Sequence, residues 1–288
     1  METRSRKRQS LSIGSTSDNT QVTQQALTPF HEALINISIP KQCFKTPNSS
    51  TRNPNLTLTQ IETLEANHIN PYEELQFVND WDGCDNLVDD LLKQSKRVLS
   101  DFEVPNIQTY ILPLVDEESI RCFLHPYFGL SSIGAQEYFL RTSNINLNLG
   151  WTIISEQSMG YTFYLKPDFG LFTQRIMARS NFTHFIPGYS IAEGKIFKNI
   201  AHDENTSLSY LFEVRTETAG ALNQIYRYML YNKMTYSTLV TDKCIWLLKK
   251  VGKNLEASRG YNINDKHIKM TEAFYALSLL SVKSELKL

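Results

Sequence analysis

Cysteine is scarce and scattered: Cys43, Cys84, Cys122 and Cys244 stand far apart, and no CxxC pair occurs in 288 residues. That spacing speaks against a zinc ribbon or a disulfide frame and reads as reduced thiols of an intracellular protein. The histidines (His31, His68, His125, His184, His202 and His267) form no HxxxH or similar cluster, so a metal centre built on imidazole is not expected. No apolar run approaches the length of a membrane span, and Met1 leads into "ETRSRKRQS" instead of a hydrophobic signal core. A nuclear or cytoplasmic protein without membrane association is the expectation. The chain also lacks a GxxxxGK[ST] phosphate loop, a GxGxxG turn opening a helix, and a GxSxG elbow, which removes the commonest nucleotide-binding and acyl-transfer signatures.

What is present is unevenly distributed. The net charge is only -1, yet residues 60–118 hold 14 acids against 3 bases, whereas residues 166–253 hold 7 acids against 12 bases. Such a split suggests regions with different partners: a basic protein for the acidic stretch, a polyanion for the basic one. A chain of this length can bury one sizeable core with material left for a small unit or a tail.

Three segments follow from the patterning. Residues 1–58 are rich in Ser, Thr, Asn, Gln and Pro, carry the basic cluster Arg4, Arg6, Lys7 and Arg8, and read as a disordered tail; deletion of residues 1–55 should leave stability nearly unchanged. Residues 59–128 read as an acidic helical region, with Leu87, Leu91, Leu92, Val98 and Leu99 at helical spacing. Residues 129–288 change character. A helix is expected from Ser131 or Ser132, then strands in "GWTIISEQ", "YTFYLKPDFGLF" and Tyr210–Arg215. A helix over Thr218–Asn232, strands in "TYSTLVTD" and "KCIWLLKK", and a closing helix in "KHIKMTEAFYALSLLSVKSEL" complete an α/β (α+β) domain, a mixed sheet flanked by helices. The polar stretch Thr173–Ser207 gives no clear periodicity.

Alternation along Tyr210–Arg215 sets Glu213 and Arg215 on one face with Leu211, while Tyr210, Phe212 and Val214 face the other way. A buried, unpaired carboxylate costs several kcal/mol, by the order of magnitude expected for such groups, so this face needs water, a partner charge or a ligand. A second acid, Asp168, stands where another strand ends. Two carboxylates from neighbouring strands suit Mg²⁺, which takes few protein oxygens and keeps positions for water and phosphate. A cation two residues beyond the second acid can steady charge building on phosphorus.

This arrangement resembles the PD-(D/E)XK nuclease superfamily, the fold of many restriction endonucleases. "PD" is met at Pro167–Asp168 and "(D/E)XK" at Glu213–Val214–Arg215, with arginine in place of lysine. Glu137 in "AQEYFLRT" matches a helical glutamate placed before the first strand, and Gln224 with Tyr228 lies one turn apart in "ALNQIYRYML". The run from Ala221 to Lys250 looks like the closing part of nuclease-like domains of fungal and protist proteins. The resemblance implies a restriction-endonuclease-like sheet and a Mg²⁺- (or Mn²⁺-) dependent hydrolase of phosphodiester bonds in DNA or RNA. It implies Asp168, Glu213 and Glu137 as metal-binding residues, Arg215 as phosphate stabiliser and Gln224 as a hydrogen-bonding site residue. The alternative is a degenerate nuclease fold that binds nucleic acid or protein without cutting. Within the irregular stretch, "IAEGKIF" offers Glu193 and Lys195 at the same spacing; it ranks second, because Gly188 and Gly194 weaken a central-strand reading and no Gln-bearing helix adjoins it.

Overall fold

In "KCIWLLKK", Ile245 and Leu247 turn to one side and Trp246 and Leu248 to the other, and all four are fully buried. Such a strand needs cover on both faces, so helices must lie on both sides of its sheet. The computed structural model describes residues 26–36, 73–105, 117–153, 167–173 and 188–288 and places this strand near the centre of an eight-stranded mixed sheet.

The chain opens with β1 (Leu27–Pro29), α1 (Phe30–Ile35), β2 (Phe77–Asp80), α2 (Cys84–Val98) and β3 (Glu103–Pro105). There follow α3 (Glu117–Ser143), β4 (Leu149–Ile153), β5 (Phe169–Thr173), β6 (Ser190–Lys195), α4 (Phe197–Ile200), α5 (Leu208–Val214) and α6 (Thr216–Tyr231). The last part comprises β7 (Tyr236–Thr241), β8 (Cys244–Val251), β9 (Asn254–Ala257), β10 (Tyr261–Asn262) and α7 (Met270–Leu286). The sheet order is β2-β9-β8-β7-β6-β5-β4, with β10 also on β8. β4, β5 and β6 form an antiparallel meander, α6 carries the chain across one face, and β7 returns parallel to β6. Gly252, at φ 60°, supplies the left-handed residue that the two-residue turn from β8 to β9 requires.

The two faces are covered differently. Ala192, Phe169, Leu171, Val240, Ile245 and Leu247 meet α1, α2, α3 and α7, whereas Ile191, Phe172, Leu239, Trp246 and Leu248 meet α4, α5 and α6. From Met270 to Val282, α7 is buried all round, as a helix wedged between a sheet and other helices must be. Each such Leu or Phe contributes about 1.5–3 kcal/mol of transfer free energy.

Several expectations are corrected. Residues 27–35 do not belong to a disordered tail: β1 pairs with β3, Phe30 and Leu34 are fully buried, and Thr271 Oγ1 and Lys269 Nζ donate to the Leu34 and Ile35 carbonyls at 2.6 and 2.9 Å. Gly134 on α3 makes room for this clasp, since a Cβ there would collide with the Phe30 ring. The rest of the expected tail, residues 1–25 and 37–58, lies outside the described residues, as do residues 59–72. The boundary between residues 128 and 129 falls inside α3, which begins at Glu117 and not at Ser131 or Ser132. The acidic region is no separate unit, because β2 extends the main sheet and α2 packs on α7 through a shared core. Most consequential, Tyr210–Arg215 is not a strand. Leu208, Leu211 and Phe212 fall at helical spacing against the core, Ser207 caps the first turn by accepting from the Tyr210 N–H, and the segment coils as α5. The third strand of the meander comes instead from the irregular stretch, as β6. Among the described residues, no helix is long and apolar enough to cross a membrane.

Candidate functional site

The site is set by strand parity. Ile191 of β6 faces α6, so Glu193 and Lys195, at steps of two, face the same way. On β5, Phe172 faces α6, and Asp168 shares its parity. The β5–β6 ladder pairs Phe169 with Ala192, and one step further along the antiparallel register Asp168 meets Glu193. Two carboxylates are thereby delivered side by side at one end of the sheet, under the helix that bears Gln224.

The contacts bear out this juxtaposition. The Asp168 N–H donates to Glu193 Oε2 at 3.3 Å, and the Gly194 N–H donates to Asp168 Oδ2 at 2.8 Å. Lys195 Nζ donates to Glu193 Oε1 at 2.9 Å, and Gln224 Nε2 donates to the same oxygen at 3.0 Å. Gln224 Nε2 also reaches the Tyr228 hydroxyl at 2.5 Å, one helical turn on. Asp168 is 2% exposed and Glu193 0%, while the Lys195 side chain keeps 15% of its surface. A carboxylate this deeply buried is tolerable only when paired and hydrogen-bonded, and Glu193 is held by an ammonium, an amide and a backbone N–H.

The residues expected from the resemblance are divided. Asp168 and Gln224 both contact Glu193, but Glu213 does not join them. It is an exposed residue of α5, on the helical face that also leaves Tyr210 and Val214 in solvent. Arg215 caps another helix: its Nη2 donates to the Lys198 and Asn199 carbonyls of α4 at 3.3 and 3.4 Å. Glu137 forms an ion pair with Arg141 at 2.6 Å, and Arg141 pairs in turn with Asp101 beyond the end of α2. The partner of Asp168 and Gln224 is instead Glu193, within Glu193–Gly194–Lys195, the tripeptide ranked second. The signal that could have ranked it first was the ExK spacing itself.

Asp168 and Glu193 supply hard oxygen donors beside one cation and one amide. The donor set suits a hard divalent ion that takes one or two carboxylates and otherwise water or phosphate. Among the described residues, no group of three or more His, Cys, Asp or Glu side chains is placed to cage a metal, so an all-protein cage is not the arrangement on offer. No protein-family model, curated protein or solved structure matches the chain.

Proposed function

We propose that this protein is a Mg²⁺- or Mn²⁺-dependent hydrolase of phosphodiester bonds in nucleic acid, built on a restriction-endonuclease-like sheet. The observation that carries the reading is the convergence of Asp168, Glu193, Lys195 and Gln224 from two adjacent strands and the helix above them. The chain order adds support: after α3 and the β4–β5–β6 meander the chain passes through α4, α5 and α6 to a β7 parallel to β6, in keeping with the helix, three strands, helix and further strands expected from the sequence, with β6 as the third strand.

Asp168 and Glu193 would hold the divalent ion. When bound, it lowers the pKa of coordinated water and offsets charge on the phosphoryl oxygens. Lys195, a true lysine at the motif position, sets an ammonium beside the reacting group and stabilises negative charge there. Gln224 orients the Glu193 carboxylate through Oε1, and Tyr228 accepts from Gln224 and limits its rotation. Two features favour the binding-only alternative, arginine in the lysine position and the near-neutral net charge, and only the first depends on which tripeptide forms the site. With Arg215 on the α4 carbonyls and Lys195 on Glu193, that first argument lapses.

The test is cleavage of plasmid DNA, single-stranded DNA and RNA by the purified full chain with Mg²⁺ or Mn²⁺. Activity should stop with chelator, and Asp168→Ala and Glu193→Ala should abolish it while circular dichroism and thermal melting report a folded chain. Inertness of the wild type with every ion and substrate, alongside salt-sensitive retention of nucleic acid, would return the protein to a binding role.

A further inference from the structure

The reaction just proposed leaves Asp242 unused, although it is a buried carboxylate, 3% exposed, at the same end of the sheet. In the parallel β6–β7 ladder, Lys195 pairs with Thr241, so Asp242 begins the turn alongside the residue that carries the site's ammonium. Its Oδ1 accepts the Phe197 N–H at 2.6 Å, and the next residue, Lys243, lays its ammonium over the Phe197 ring, 4.9 Å from the centroid. Two consecutive residues of one turn therefore grip the backbone and the side chain of the first residue of α4.

We propose that Asp242 is a positioning residue for Lys195. The inference rests on the hydrolase reading for its purpose, though not for its geometry. Lys195 is the last rung of β6, and only Ile196 separates it from the gripped Phe197. Without the Asp242 acceptor the Phe197 N–H loses its side-chain partner, the backbone just beyond the last rung loosens, and the ammonium loses its fixed distance to Glu193. The far end of α4 is held as well: Arg215 donates to the Lys198 and Asn199 carbonyls, and Thr218 Oγ1 donates to the Ile200 carbonyl at 2.6 Å. With both ends held, α4 is a fixed spacer between the strand bearing Lys195 and the helix bearing Gln224. A displacement of about 1 Å at such a group lowers turnover by roughly 10²-fold.

The experiment compares Asp242→Ala with Asp242→Asn, which keeps an acceptor oxygen, in the full chain. Two readouts are taken. One is Mn²⁺-supported cleavage, split into kcat and KM. The other is the rate of Lys195 acetylation by limiting acetic anhydride, followed by peptide mass spectrometry with the exposed Lys233 as internal reference. In Asp242→Ala, kcat should fall at least about tenfold with KM little changed, and Lys195 acetylation should accelerate severalfold relative to Lys233. Asp242→Asn should restore both toward wild type. If Asp242→Ala does not fold, Asp242→Ser gives the same comparison with a shorter acceptor. Unchanged Lys195 acetylation in a folded Asp242→Ala protein overturns the proposal. So does loss of activity in Asp242→Asn with normal acetylation, since that would make the carboxylate a direct participant. If the wild type cleaves nothing, the hydrolase reading fails alone, and the acetylation arm still decides the role of Asp242.

Discussion

Two acid–x–cation tripeptides lie twenty residues apart in this chain: Glu193–Gly194–Lys195 and Glu213–Val214–Arg215. The first is part of a strand buried on both faces, where its glutamate meets Asp168, Lys195 and Gln224. The second ends a seven-residue helix, where its glutamate faces solvent and its arginine caps backbone carbonyls. The spacing is the same and the chemistry is not. A motif becomes a site when the surrounding elements bring it partners and exclude water, and these the sheet supplies to one copy only.

The largest expected effect breaks or upholds that contrast outright. Glu193→Gln should lower metal-dependent cleavage on the order of 10³-fold, whereas Glu213→Gln stays within about twofold of wild type in the same gel assay. Burial alone is not the criterion, and Phe30 sharpens the point. It is as buried as Glu193 but serves only the clasp, so Phe30→Ala should cost about 3 kcal/mol or more in urea denaturation while the folded fraction keeps its specific activity. Next come the cations: Lys195→Arg should lose about 10²-fold in kcat, because a guanidinium is bulkier and branches differently, while Arg215→Lys should change the rate little.

α6 and α7, β7 and β8 announce themselves through long, strongly apolar or periodic runs. Gln224 could be placed because it rides on α6, and Asp168 because it adjoins the apolar run of β5. β6 is hard to read because "SIAEGK" is buried from Ser190 to Gly194, so its charged residues look like loop until their partners on β5 and α6 are known. α5 was misread for a different reason: "YLFEVR" alternates like a strand, and only by including Leu208 does the i, i+3, i+4 pattern with Leu211 and Phe212 emerge. The clasp was lost in a polar context, where Phe30 and Leu34 are too few to reveal a helix whose stability comes from α3 and α7.

The smallest expected effect comes from another ionisable side chain that leaves water, this time without a countercharge. His31 lies within hydrogen-bond distance of Ser95, itself bonded to Tyr275, and burial first, then the Lys96 charge, lowers its pKa from the ordinary 6.5 to about 4. The unfolded chain therefore takes up this proton more readily than the folded one. The stability that a neutral His31 contributes is complete above about pH 6.5 and is lost as pH falls toward 4. The difference in melting temperature between wild type and His31→Gln should narrow by a few degrees across that window. A constant difference would mean that His31 titrates alike in both states.

Which glutamate joins Asp168 in holding the proposed divalent ion is measured by Mn²⁺ binding, without reference to turnover. Titration calorimetry, with the electron paramagnetic resonance signal of free Mn²⁺ as a second count, should find equal affinity in wild type and Glu213→Gln. Glu193→Gln should bind at least about tenfold more weakly. Full affinity in Glu193→Gln with loss in Glu213→Gln, or no binding by the wild type at all, would contradict the account.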